Sequence, residues 1–250
     1  MSDDINYSVH YSRWHTGSID ELKLRDKFYL RLFGDELSEF PKSISILDYG
    51  CGYGHLTYFL SNRFRTVTGV DSSEHQVKVA KRNSLPVFHL KNEDFADWCE
   101  EKKENFDVIF LMDVLEHIDA KDQISFIRNL SLTLKENGLF YIKVPNANSL
   151  LASRWRYIDW THKSSFTEAS LEFVLKNSNF MEIDYLDDET SIKPKMLFLP
   201  RKDTLPYYLK SFVRFIWRFY LYSEIGREAL RLRLGVNLLA KARKIKSNNE

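Results

Sequence analysis

Ile46-Leu47-Asp48-Tyr49-Gly50-Cys51-Gly52-Tyr53-Gly54 runs an apolar strand into a glycine-rich turn that opens a helix. Glycines there allow positive φ and let a ligand approach the backbone, and the N–H groups of the helix start face that ligand. The spacing departs from the dinucleotide-binding G-x-G-x-x-G pattern, because position 55 is His55 and the third glycine comes one residue early. Asp71 follows the next apolar run, 21 residues after Gly50, where an acid at a strand end accepts hydrogen bonds from both hydroxyls of a ribose. The expectation is a ribose-containing ligand without the pyrophosphate geometry.

Outward from the turn, short apolar runs alternate with helical stretches: ISILDY then 54–63, TVTGVD then 73–84, PVFHL then a short helix near 95–101, FDVIFLM then 121–135, and LFYIKV. This alternation predicts a doubly wound, Rossmann-like α/β sheet, mostly parallel. Upstream, a helix is expected from about Ser18 to Phe33, with Ser18 and Glu21 as a capping box and Leu22, Tyr29 and Phe33 on one side. The 121–135 helix places Ile124, Ile127, Leu130 and Leu134 on one stripe, with Asn137-Gly138 as its stop. The stretch NANSLLASRWRYIDWTHKSS has no period and reads as a lid or binding element. Thr167 then caps a helix to about Asn177, with Phe166 and Leu171 at staple spacing. FMEIDYLD and KMLFLP are expected to form an antiparallel edge hairpin.

The 250 residues are 44% hydrophobic, enough for a substantial core, and wholesale disorder is excluded. The net charge of +1 hides an asymmetry: residues 1–200 carry 24 basic and 31 acidic side chains, residues 201–250 carry 12 and 4. In LPYYLKSFVRFIWRFYLY, Lys210, Arg214 and Arg218 recur every fourth residue, a basic stripe on an aromatic helix, and Arg227–Lys246 reads as a helical continuation. The division is an N-terminal helical lid segment (1–43), a core (44–202) and a basic amphipathic helical extension (203–250). The extension suits packing or dimerisation first, and a peripheral membrane contact second. Two cysteines, Cys51 and Cys99, exclude a disulfide framework and a Cys-rich zinc site, and no metal is expected. With no leader pattern and no long apolar span, the expected home is the cytoplasm, including the inner face of the membrane.

The glycine turn, its acid and two later signatures resemble the class I S-adenosylmethionine-dependent methyltransferases, over roughly residues 44–187. The resemblance implies S-adenosyl-L-methionine as cofactor, with Asp48, Gly50, Cys51, Gly52 and Gly54 around its amino-acid end and Asp71 with Ser72 at the ribose. Asn92-Glu93-Asp94-Phe95 is similar to the adenine site, where Asp94 would bond the exocyclic amine and Phe95 supply a backbone N–H. Met112, Asp113 and His117, in Leu111–His117, would line the cofactor and substrate pocket, and Tyr11 or Trp14 would close over the cofactor as a lid.

The same fold serves many acceptors. An Asn/Asp-Pro-Pro-aromatic turn, used on exocyclic base amines, is missing after the fourth strand, so nucleic acid is not the expected partner. A hydroxyl acceptor needs a general base, and His162 is the first candidate, His117 the second. His162 lies in Asp159–Thr167, which resembles the D-x-T-H-x-x-x-F-T element of bacterial glycan and small-metabolite O-methyltransferases. Trp155 and Trp160 offer flat faces to a glycan or planar acceptor, and Arg156 and Lys163 offer charge to an anionic one. The expected function is bacterial O-methylation of a sugar, sugar nucleotide or cell-surface polysaccharide precursor. The alternatives are a quinone or other small metabolite as acceptor, or cofactor binding without catalysis.

Overall fold

The computed structural model describes residues 15–186 and 204–245, which form, in chain order, α1 (Ile19–Ser38), β1 (Ser45–Tyr49), α2 (His55–Ser61), β2 (Thr66–Asp71), α3 (Glu74–Arg82), β3 (Val87–His89), α4 (Phe95–Glu101) and β4 (Phe106–Met112). Then come α5 (Ala120–Leu132), β5 (Leu134–Pro145), α6 (Ala152–Ile158), α7 (Glu168–Lys176), β6 (Phe180–Leu186), α8 (Leu205–Ile225) and β7 (Asn237–Lys244). The strands make one sheet of order β3-β2-β1-β4-β5-β7-β6. Strands β1 to β5 pair in parallel, and β7 is antiparallel to both neighbours.

Consecutive apolar residues in β1 and β4 follow from burial on both faces of the sheet. Ile46, Val108 and Phe110 meet Phe33 and Phe59 in one layer, whereas Leu47, Ile109 and Leu111 meet Leu130, Leu171 and Leu175 in the other. Phe33 of α1 stands edge-on to Phe110 and Tyr141, with ring centroids at 5.3 and 6.0 Å, and those two rings stack at 4.8 Å. Glu36, one turn on, accepts from Tyr141 Oη at 2.9 Å and Lys241 Nζ at 2.7 Å, joining α1, β5 and β7. Burial alone would raise its pKa, but these donors hold the carboxyl below its ordinary value.

Several boundaries differ from the sequence expectation. Helix α1 continues past Phe33 to Ser38 because Leu37 extends the buried stripe. At its start Ser18 Oγ accepts from Glu21 N–H, while the Glu21 carboxylate reaches past Ser18 to the N–H groups of Thr16 and Gly17, at 2.7 and 3.1 Å. Helix α5 ends at Leu132, with Thr133 as C-cap, and Asn137, at φ +59°, turns the chain within β5. Thr167 caps α7 as expected, in a capping box with Ser170, and Phe166 and Leu171 are both buried.

The larger correction lies in the C-terminal segment. The antiparallel edge exists, but the partner of β6 is β7, formed by a segment read as helical; KMLFLP lies outside the described residues. Leu, Ala, Lys and Arg give NLLAKARK a helical propensity, which ladder bonds to β5 and β6 override. Leu238, Leu239, Ala240 and Ala242 are buried there. Asn146, also buried, anchors the approach to β7: its Nδ2 donates to the carbonyls of Arg233 and Gly235, both at 2.8 Å. Residues 203–250 therefore include a strand of the central sheet, and only α8 stands as the expected amphipathic helix.

Phe33→Ala is expected to lose about 3–5 kcal/mol, the usual cost of emptying an aromatic core site. Urea unfolding of the full chain measures it; a loss under about 1 kcal/mol would show that α1 does not seal this layer.

Candidate active site

A cleft of about 750 Å³ opens at the carboxyl ends of β1 and β4, where the strand order reverses direction. The glycine turn forms its floor. Gly50 has φ +77°, and a Cβ there would meet Val114 Cγ2 at 2.3 Å; at Gly54, φ +81°, it would meet Leu85 Cδ1 at 2.4 Å. Both positions need glycine for conformation and for space.

Four N–H groups of the turn point inward. Gly50 and Cys51 N–H both donate to Val70 O, at 2.8 and 3.0 Å, and Gly54 N–H donates to Cys51 O at 2.8 Å. Gly52 N–H donates to Asp71 Oδ2 at 2.7 Å. A phosphate cradle requires such N–H groups aimed at the ligand. The four named here are spent, and Asp48 and Asp113 are carboxyls in the cleft wall. Carboxyls there suit the ammonium and sulfonium groups of S-adenosyl-L-methionine.

Asp48 is buried and accepts from Thr57 Oγ1 at 2.6 Å; burial pushes its pKa up to about 7 despite that bond. Asp71 takes Gly52 N–H on one oxygen and Ser73 N–H on the other, at 2.7 Å each, leaving each oxygen acceptor capacity for a hydroxyl. Burial pushes its pKa up as well. Asp71 stands behind the wall, and Ser72 is the residue of this corner that lines it. Gly50, Cys51, Gly52, Met112, Asp113 and His117 line the cleft too. Cys51 is buried, which holds its thiol well above its ordinary pKa and makes it a packing group.

Other expected cofactor residues sit elsewhere. Gly54, Asp94 and Phe95 are not among the cleft residues; Asn92 is. Phe95 N–H bonds Asn92 O, and its ring stacks on Phe126 at 4.9 Å, so that the side chain serves packing. Tyr11 and Trp14 lie outside the described residues.

Of the two histidines, His117 lines the cleft and His162 packs behind it, their rings meeting edge to face at 4.7 Å. His117 Nδ1 lies 2.7 Å from Thr161 Oγ1, which donates to Asp159 Oδ1 at 2.6 Å. His162 Nδ1 donates to Trp155 O at 2.7 Å, and its Nε2 is 4.0 Å from Glu116 Oε1. Burial, then the neighbouring His162, pulls the His117 pKa down to about 4. Glu116 is buried with Oε2 unpartnered, and burial pushes its pKa far up.

The four residues expected to hold substrate do not line this cleft. Arg156 donates to the carbonyls of His162 and Lys163 and clamps the loop. Lys163 pairs with Asp119 at 2.7 Å. Trp160 is 89% exposed, and Trp155 presents a carbonyl to His162.

Sequence reading missed Arg25, Phe28, Tyr29 and Lys143, all in the cleft wall. Arg25 was detectable: it shares the core-facing stripe with Leu22, Tyr29 and Phe33, an unusual place for a guanidinium. Lys143 ends the apolar run of β5 and pairs with Asp113 at 2.6 Å, across the β4–β5 ladder. A cluster of metal-ligating type also went unread: His15 Nδ1 and His55 Nε2 lie 2.7 and 3.0 Å from Glu21 Oε1. The Glu21 carboxylate there also accepts the two backbone bonds that start α1.

The methyltransferase domain family model matches residues 22–183. A ubiquinone biosynthesis O-methyltransferase of Pelagibacter ubique is 31% identical over 66% of this chain and 62% of its own length. The Bartonella tribocorum protein of that name is 32% identical over 49% of this chain and 50% of its own. The chain thus spans between half and two thirds of these curated relatives. A crystal structure of an S-adenosylmethionine-dependent methyltransferase from Archaeoglobus fulgidus matches 96% of this chain and all of that one, with a TM-score of 0.62 at 18% identity. The chain belongs to the methyltransferase domain family, with S-adenosyl-L-methionine as its cofactor.

Proposed function

We propose that this methyltransferase domain methylates a hydroxyl oxygen of a small, lipophilic phenolic acceptor of the quinol type, with His117 as the base that takes the acceptor proton. The observation that carries the reading is the His117 imidazole in the cleft wall, where burial lowers its pKa. Bound S-adenosyl-L-methionine supplies an activated methyl group, so what remains for the protein is to position the acceptor and receive its proton. Asp71 and Ser72 would hold the ribose, and Asp48 and the glycine turn the amino-acid end. A base with a depressed pKa suits a phenol, with pKa about 10, better than an alcohol of far weaker acidity. The names of the Pelagibacter and Bartonella relatives support the same acceptor class.

A sugar hydroxyl is the second reading, because Asp159–Thr167, the segment similar to glycan O-methyltransferases, contacts His117 through Thr161. A turnover screen with a catechol and UDP-glucose separates the two: methylation of the catechol is expected, and methylation of UDP-glucose alone would overturn the first reading.

Asp71→Ala should weaken S-adenosyl-L-methionine binding about 10- to 100-fold by calorimetry, the weight of one or two hydrogen bonds to a charged group. His117→Ala should retain that binding and lose about 10²-fold or more in turnover. Because the base acts when deprotonated, activity should be level from pH 6 to 8 and fall only as pH drops toward about 4, where His117 protonates beside His162, Asp159 and Asp113. An unchanged rate in His117→Ala would remove it from the reaction.

We also propose that α8 lies on a lipid surface. None of its side chains is buried. Leu205, Leu209, Phe212, Ile216 and Phe219 form an exposed stripe, widened by Val213, Phe215 and Tyr220 beyond a two-helix seam. Trp217 and Arg218, on another side, donate to the carbonyls of Asn148, Ala229 and Leu232 and hold the helix to the body. Among the described residues no helix is long and apolar enough to cross a membrane, so contact would be interfacial, aided by the basic C-terminal segment. The test uses the full chain, since truncation would remove β7. Co-sedimentation with phosphatidylglycerol vesicles is expected and should be lost in Phe215→Glu/Phe219→Glu; no binding by the intact chain, with dimerisation in sedimentation velocity, would assign α8 to a second copy instead.

A further inference from the structure

We infer that Asp159, acting through Thr161, is a positioning residue that holds His117 in the tautomer with its proton on Nδ1 and its basic lone pair on Nε2. The inference rests on the reading of His117 as the base. It follows from an inventory of protons along one short chain of contacts.

Asp159 Oδ1 receives two bonds from Thr161, from Oγ1 at 2.6 Å and from the main-chain N–H at 2.8 Å. Although burial works against it, these bonds and the two neighbouring histidines keep the Asp159 carboxyl below its ordinary pKa, so it is ionised and only accepts. The single hydroxyl proton of Thr161 is therefore spent on Asp159. What remains on Oγ1 is a lone pair, and it can only accept from His117 Nδ1, 2.7 Å away. Nδ1 must carry the proton, which leaves Nε2 as the nitrogen able to take one.

The surroundings hold this arrangement in place. Trp155 O, an acceptor only, sets the same tautomer in His162 at 2.7 Å, and the edge-to-face contact of the two imidazoles at 4.7 Å and 66° restrains both ring planes. Glu116 O accepts from Lys163 N–H at 2.7 Å, and Arg156 spans the carbonyls of His162 and Lys163, so the loop that carries Asp159 and Thr161 is tied to the segment that carries His117. A group that fixes tautomer and ring orientation acts without touching the acceptor.

The test is the tautomer itself, read from long-range proton–nitrogen correlation spectra of the ¹⁵N-labelled full chain, with the His117 signals identified by their loss in His117→Gln. The wild type and Thr161→Ser should show the proton on Nδ1. In Asp159→Leu the acceptor of the Thr161 hydroxyl is gone, the hydroxyl is released to donate to Nδ1, and the proton should appear on Nε2; Asp159→Asn, whose amide oxygen can accept both Thr161 bonds, should keep it on Nδ1. Turnover of a catechol should fall about 10²- to 10⁴-fold in Asp159→Leu with the KM for S-adenosyl-L-methionine unchanged, and Asp159→Asn should restore most of it. An unchanged tautomer in Asp159→Leu overturns the inference, whatever happens to stability. A shifted tautomer with unaltered turnover supports the positioning role and instead sinks His117 as the base.

Discussion

Val70 O, at the end of β2, accepts the N–H groups of both Gly50 and Cys51, and the next residue, Asp71, accepts that of Gly52. These three bonds lock the turn after β1 to the end of its neighbouring strand, and the cleft takes its floor from that lock. Because Gly50 lies so close to Val114, the turn also abuts the chain leaving β4. One tight joint therefore brings β1, β2 and β4 together where the strand order reverses. Beside the turn the cleft wall carries the carboxyls of Asp48, which is buried, and Asp113, which pairs with Lys143.

Much of the sheet was legible because its cause is local. The alternation of apolar runs and helices, the caps at Ser18 and Thr167 and the glycine turn are short-range signals that the folded chain uses nearly as written. NLLAKARK was not legible, since its helical propensity is overruled by two strands that lie more than fifty residues away in one case and nearly a hundred in the other. The stop of α5 moved from Asn137-Gly138 to Thr133 for a related reason: the chain must enter β5 beside β4, and Asn137 supplies the bend inside that strand.

The site was legible in its chemistry and less so in its geometry. Motifs named Asp48, the glycines, Asp71 and both histidines, but spacing could not say which imidazole faces the cleft. Phe95 and Arg156 carry residue types that suit binding, yet one packs on Phe126 and the other clamps backbone carbonyls. Arg25 and Lys143, charged residues within apolar patterns, are the converse case. Their misfit to the pattern was the signal, because a cation on a core-facing stripe needs a cavity or a partner to receive it.

The acidic body and basic tail that average to a net charge of +1 divide by role and not by domain. β7 belongs to the sheet, and α8 projects an apolar face. The central claim is that the inward-turned donors of the glycine turn select a cationic nucleoside over a pyrophosphate. Calorimetry of the full chain with S-adenosyl-L-methionine and, separately, NADH tests it most directly: saturable one-to-one binding of the first and none of the second is the predicted result, and binding of NADH with no heat from S-adenosyl-L-methionine would contradict the account.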